Sequence, residues 1–211
     1  MSGVQAQGTT LHIGTGTGGA ITITAISKAF NAEVTGTHAL TVGDRVTFAT
    51  VGGMTQINGL TGTVRAVTST TAFVVDIDSR AFTTYTSGGT ATPVTWTEVL
   101  GIIDYSPSGA TVSEIDTTDL KSTAKEFMAG LTDNGSFTIN YKYLEDDAGQ
   151  AACRVAGAGS LTKSFKITDP LSNVYTFSGH LSSYGAVPSA GVDQVLKGSQ
   201  TVRISGAVVV S

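Results

Sequence analysis

The stretch Ser136–Tyr143 reads S-F-T-I-N-Y-K-Y, and no other feature narrows the possible folds as much. Its polarity alternates at every step. In an extended chain Phe137, Ile139, Tyr141 and Tyr143 share one face, and Ser136, Thr138, Asn140 and Lys142 share the other. A helix would scatter the same apolar side chains around its circumference. The pattern returns in Ser164–Ile167 with Phe165 and Ile167, in Val174–Ser178 with Tyr175 and Phe177, and in Thr201–Ser205 with Val202 and Ile204. Strands with one apolar and one polar face bury the apolar side by pairing sheet against sheet, which predicts a β-sandwich for residues 92–211.

Ahead of it, residues 21–91 predict a different arrangement. Short strands are expected at Ile21–Ile26, Glu33–Thr35, Arg45–Ala49, Thr61–Val67 and Ala72–Asp76, separated by turns at Val42-Gly43-Asp44, Gly52-Gly53, Asn58-Gly59 and Ser87-Gly88-Gly89. Four basic and four acidic side chains leave the segment neutral. So many short strands in so few residues favour a small closed barrel over an open sheet. Residues 1–20 read as a flexible arm with one short strand, Thr10–Ile13. One helix is expected at about Asp147–Ala156, capped by Asp146 or Asp147 and ended by Gly157, with Ala151, Ala152 and Val155 toward the core. Leu120–Met128 is a weaker helix candidate, better read as a turn on a long loop. The expected fold is therefore all-β, a sandwich with one flanking α-helix plus an inserted small β-barrel.

Composition removes several classes of function. A formal charge of −4 gives no basic surface for gripping phosphate. The single cysteine, Cys153, excludes an internal disulfide framework and a cysteine-based zinc site. His12, His38 and His180 lack metal-binding spacing. Gly14–Gly19 matches G-x-G-x-x-G, but the strand-forming ITITAI follows where a phosphate-binding helix would have to begin. Glu145-Asp146-Asp147 suits a helix N-terminus better than a carboxylate pair. The start, MSGVQAQGTT, has neither the basic nor the apolar region of a secretory signal, and no apolar run reaches a membrane span. Catalytic, cofactor-binding and metal-binding residues are accordingly not assigned. Charge is unevenly spread: residues 98–147 carry ten acidic and three basic side chains, and residues 148–211 two acidic and five basic. That asymmetry reads as solvated faces or as two complementary surfaces for self-assembly.

An ordered set of motifs adds to this reading. SEIDTTD at 113–119 is followed by STAKEFMAGLTDNGSFTINYKY at 122–143, DDAGQAACRVA at 146–156 and VLKGSQTVRISGAVVV at 195–210. With GTTLHIG at 8–14 as an opening arm, the set resembles the tail tube (major tail) proteins of long non-contractile-tailed bacteriophages, the siphophages. The intervening segment, with TGTHALTVGDRVTFATVGGMTQINGLTGTVRAV and DIDSRAFTTYTSGG, resembles a small β-barrel module of phage structural proteins and of ubiquitin-activating enzymes.

The resemblance implies a non-enzymatic virion protein that polymerises as stacked hexameric rings. The rings form a conduit for genome DNA, assembled in the host cytoplasm without membrane insertion. Implied partners are further copies of the chain and the tape measure, tail terminator and tail tip proteins. It further implies a stacking loop within Asp116–Gly135, carrying Asp116, Asp119, Lys121, Lys125, Glu126, Phe127, Met128 and Leu131. Candidate lumen-lining residues are Glu114, Ser136, Thr138, Asn140, Lys142, Thr201 and Arg203, with Glu114 and Asp116 offsetting the two basic ones. A carbohydrate-binding or adhesin-like β module is the alternative from a different class.

Overall fold

The computed structural model describes residues 6–185, 187–191 and 194–211; the first five residues of the expected arm lie outside them. The fold is all-β, of the sandwich class, with one α-helix. In chain order its strands are β1 (Thr10–Thr17), β2 (Ile21–Thr22), β3 (Ala25–Ile26), β4 (Glu33–Thr35), β5 (Arg45–Ala49), β6 (Thr61–Ser69), β7 (Ala72–Val75), β8 (Thr90–Glu98), β9 (Ile102–Pro107), β10 (Thr111–Asp116), β11 (Phe127–Asp133) and β12 (Ser136–Lys142). Helix α1 (Ala148–Ala158) follows, then β13 (Thr162–Thr168), β14 (Val174–Tyr184) and β15 (Lys197–Val210). The chain divides into two compact units. One holds the residues up to Val99 with Lys163–Phe177 and Val209–Ser211; the other holds Leu100–Thr162 and Ser178–Val208.

Within the first unit, residues 21–91 close on themselves. Strand β8 pairs with β5, β5 with β6, β6 with β7, β7 with β4 and β4 with β3. Strand β2 returns to β8, with Ile21 opposite Ala91. Between β2 and β3, Ile23 N–H donates to the Gly89 carbonyl and Thr24 N–H to the Thr35 carbonyl, at 3.0 and 2.8 Å. Residues 21–26 are thus one bent strand that completes the ring. Alternation then sorts the side chains: in β5, Val46 and Phe48 point inward and Thr47 does not. Val34, Phe73 and Val75 join them, fully buried, in a core drawn entirely from residues 21–91.

Strand β8 has two halves with different partners. Thr90–Pro93 pair with β2 and β5, whereas Val94–Glu98 pair with β1. Strand β1 runs four residues beyond the expected Ile13 and also pairs with β13, so Gly14–Thr17 are strand and not flexible linker. Backbone pairing to β8 holds this stretch, and glycines offer no side-chain alternation by which to foresee it. Strands β8 and β9 are separated by Val99–Gly101, where Gly101 has a φ of +77°.

In the second unit β12 lies between β9 and β15, and Phe137, Ile139 and Tyr141 are buried as the alternation requires. Asp147 caps α1 by accepting a 2.7 Å hydrogen bond from the Gln150 amide, which satisfies one of the first-turn donors. The helix passes Gly157 and ends at Gly159. Its buried face is Gly149, Gln150, Cys153, Ala156 and Gly157. Val155, expected in the core, is 66% exposed, because a polar residue takes the inner position. The fully buried Gln150 donates to the Leu100 and Lys142 carbonyls, both at 2.8 Å, and accepts from the Leu144 amide at 3.1 Å. It thereby satisfies three backbone groups on the segments around it. Burial pushes the Cys153 thiol up to about 12, leaving it inert as a nucleophile.

Candidate assembly surfaces: a kinked hairpin and a polar strand face

The segment between Pro107 and Ser136 is not a loop. Strands β10 and β11 pair antiparallel, with Asp116 opposite Phe127, Ile115 opposite Met128, and Glu114 opposite Ala129. They prolong the β9–β12 pair as the distal half of one long hairpin. Ser108 N–H donates to the Ser136 carbonyl at 2.8 Å, and three residues further along each strand Thr111 faces Asp133. The junction between the two ladders falls at Gly135, whose φ is +79° and where any Cβ would collide with the Ser108 carbonyl oxygen. Asp133 braces this root. It accepts from the Gly135 amide at 2.9 Å and pairs with the Arg203 guanidinium. Those two partners hold its carboxyl below the usual carboxylate range.

A two-stranded ribbon has two faces and no core of its own. Val112, Ile115, Leu120, Phe127, Met128 and Leu131 are consequently all exposed, with Phe127 at 54%. Leu120–Met128 is not a helix: Thr117–Glu126 form the turn, and Phe127 begins β11. At the tip Asp119 accepts from the Lys121 and Ser122 amides at 2.8 and 3.0 Å, and Glu126 N–H donates to the Thr118 hydroxyl at 3.0 Å. The Thr118 hydroxyl and amide hold the Asp116 carboxyl below the usual range. Lys121, Lys125 and Glu126 are exposed.

The second surface is the polar side of β12 and its neighbours. Ser136 lies opposite Arg203, Thr138 opposite Thr201, Asn140 opposite Ser199, and Lys142 opposite Lys197. On the other flank Thr138 faces Ser106 and Asn140 faces Asp104. The Thr138 and Thr201 hydroxyls are 3.1 Å apart, and Asn140 donates to Asp104 at 2.7 Å. The carboxylates on this face are therefore Asp104 and Asp133. Glu114 and Asp116, expected to offset the basic residues, belong to the separate two-stranded sheet of the hairpin.

Among the described residues no three His, Cys, Asp or Glu side chains converge, and no helix is long and apolar enough to cross a membrane. The surfaces on offer are strand faces, suited to other chains.

Two family models match. That of the lambda phage tail tube protein covers residues 82–210, well over half of the chain. The chain belongs to this family. The tail tube match takes in the hairpin, the polar face and α1. The ubiquitin-activating enzyme E1 FCCH domain model matches residues 31–95, across most of the closed barrel. Among solved structures, a chain from the cryo-EM structure of the anti-feeding prophage baseplate, 6-fold symmetrised, is similar at 12% identity and a TM-score of 0.40. The likeness covers 82% of this chain and 95% of that one. No curated protein matches. This tail tube protein is thus a structural component of a phage tail, of a family that self-assembles.

Reading the sequence missed Asp104, Gln150 and the place of Gly135 at the root of the hairpin, and it took Asp133 as part of the stacking segment Asp116–Gly135 and not as a partner of the polar face. The Asn-Gly pair at 134–135 is a turn signal in the sequence at that point. Nothing local marks Asp133 as the partner of Arg203, 70 residues away.

Proposed function

We propose that this tail tube protein polymerises as stacked hexameric rings, and that the tube conducts genome DNA during delivery. The hairpin carries the argument. It presents six large apolar side chains to solvent on a ribbon that nothing among the described residues covers. A neighbouring copy would cover them, and burying the exposed half of Phe127 alone would contribute about 1–1.5 kcal/mol at each contact. Strand β9 pairs only on its β12 side among the described strands, leaving an edge that a neighbour in the ring can extend. The polar side of β12 and β15 suits a lumen. Its residues are Ser136, Thr138, Asn140, Thr201 and Arg203, with Lys142 at its end. Asp104 and Asp133 temper its basic groups, so that DNA slides without accumulating phosphate contacts. Residues 21–91 form an inserted barrel that decorates the tube without an enzymatic role. The tape measure, terminator and tip proteins meet the tube along its length and at its ends, in the virion tail assembled in the host cytoplasm.

Electron microscopy of the purified chain tests this. Tubes or stacked rings are expected from the wild type. Phe127→Asp should give a folded monomer that forms neither. Dispersed wild-type monomers with glycan affinity would instead support the carbohydrate-binding reading.

A further inference from the structure

Within the second unit, the β9–β12–β15 ladder ends in two apolar surfaces, one beside a pair of carboxylates and the other beside a pair of lysines. At one end is the hairpin. Glu114, Asp116 and Phe127 share one of its faces, because Asp116 lies directly opposite Phe127, and Glu114 is two residues away on the same strand. Neither carboxylate has an ion-pair partner among the described residues. At the other end Leu100, Leu144 and Leu196 are 48%, 39% and 41% exposed. They adjoin one another: Tyr143 N–H donates to the Leu196 carbonyl at 2.9 Å, Lys142 N–H donates to the Gly101 carbonyl at 2.8 Å, and Leu144 Cδ1 lies over Gly101. Beside them Lys142 and Lys197 stand directly opposite each other across the ladder. Two like charges in that register repel. Glu145 and Asp146 follow Leu144 in the chain, yet no ion pair forms with either lysine among the described residues. The seven residues of β12 separate the two ends by about 20 Å.

We infer that the Leu100–Leu144–Leu196 patch, flanked by Lys142 and Lys197, is the acceptor for the hairpin of a second copy of this chain. Apolar side chains then meet apolar side chains, and Glu114 and Asp116 relieve the lysine pair. Donor and acceptor lie at opposite ends of one ladder, so the contact is heterologous, and stacking it along the ladder axis gives an open array. That geometry builds a filament and not a dimer. The inference rests on the tube reading above and supplies its receiving surface.

Charge reversal tests it on the full chain, with assembly followed by sedimentation and microscopy and folding by circular dichroism. Glu114→Lys with Asp116→Lys, and separately Lys142→Glu with Lys197→Glu, should each raise the critical concentration roughly tenfold or more, equivalent to ~1.4 kcal/mol per contact. All four changes in one chain should return it to within a few-fold of wild type. The two half-reversed chains, mixed, should co-assemble although neither assembles alone. If wild type forms tubes and the half-reversed chains do so at the wild-type critical concentration, the acceptor assignment falls and the tube reading stands. Folded four-fold variants that fail to recover also overturn it. A wild type that makes no tubes removes both.

Discussion

Lys166 donates to Asp44 Oδ1 at 3.1 Å while its ammonium sits 4.8 Å from the centre of the Trp96 ring. Trp96 Nε1–H donates to the same oxygen at 3.1 Å, and the Thr41 amide and hydroxyl donate to the other, both at 2.9 Å. One carboxylate on a barrel turn thus collects donors from β8 and β13. Nearby, Thr176 donates to the Gly43 carbonyl and Arg45 to the Ser164 hydroxyl, each at 3.1 Å. Asp44→Ala should leave Lys166 without its counter-charge in a site where both side chains are only 14–16% exposed. A loss of about 2–3 kcal/mol is expected in urea unfolding. Asp44→Asn, which keeps the shape and loses the charge, should cost less.

The split of β8 at Pro93 and Val94 predicts a tolerated deletion. Joining Gly19 to Pro93 removes the closed barrel with its own core and keeps the β1-paired half of β8. Soluble protein that still polymerises is expected, at reduced stability because the Asp44 contacts go too. Aggregated protein in place of a folded product would show the barrel to be integral to the rest.

Gly135→Ala should destabilise the chain by about 1–3 kcal/mol, since a φ of +79° is strained for any side chain and the new methyl group meets the Ser108 carbonyl. Chemical denaturation gives the stability cost. Hydrogen exchange should place the added mobility in residues 108–136.

Gln150→Leu removes the partners of two carbonyls and one amide at the base of α1. With each orphaned group costing about 1–3 kcal/mol, a total loss of ~3 kcal/mol or more is expected despite the apolar replacement. A melting temperature equal to that of wild type would deny Gln150 this role.

His12 predicts a pH dependence. It lies opposite Glu98 in one ladder and Lys166 in the other. Burial and then the Lys166 charge lower its pKa from 6.5, with Glu98 opposing. The folded state therefore prefers the neutral ring, whereas the unfolded chain takes up a proton below about pH 6.5. Stability should be full above that value and fall as pH drops through it. In a His12→Gln variant this part of the acid slope should disappear from the unfolding curves.

What the sequence determined by itself is whatever repeats at short range. The alternation in Ser136–Lys142 dictates which side chains enter the core, because a strand has only two faces. The turn residues between 42 and 89 bound the barrel strands, and Asp147 starts α1. The ordered motifs from Ser113 to Val210 point to the family. Tertiary structure decided the rest, because it depends on partners distant in the chain. Gly14–Thr17 become strand only where β8 offers a backbone to pair with. Asp116–Gly135 reads as a loop since Phe127–Asp133 has no clean alternation, and its pairing with β10 carries an irregular register between Val112 and Glu114. Val155 turns outward because Gln150 must turn inward to satisfy three backbone groups on other segments. The carboxylates beside Arg203 and Asn140 are chosen by strand register, which places residues 70 and 36 positions apart within hydrogen-bonding distance. Proximity along the chain carries no record of such pairings.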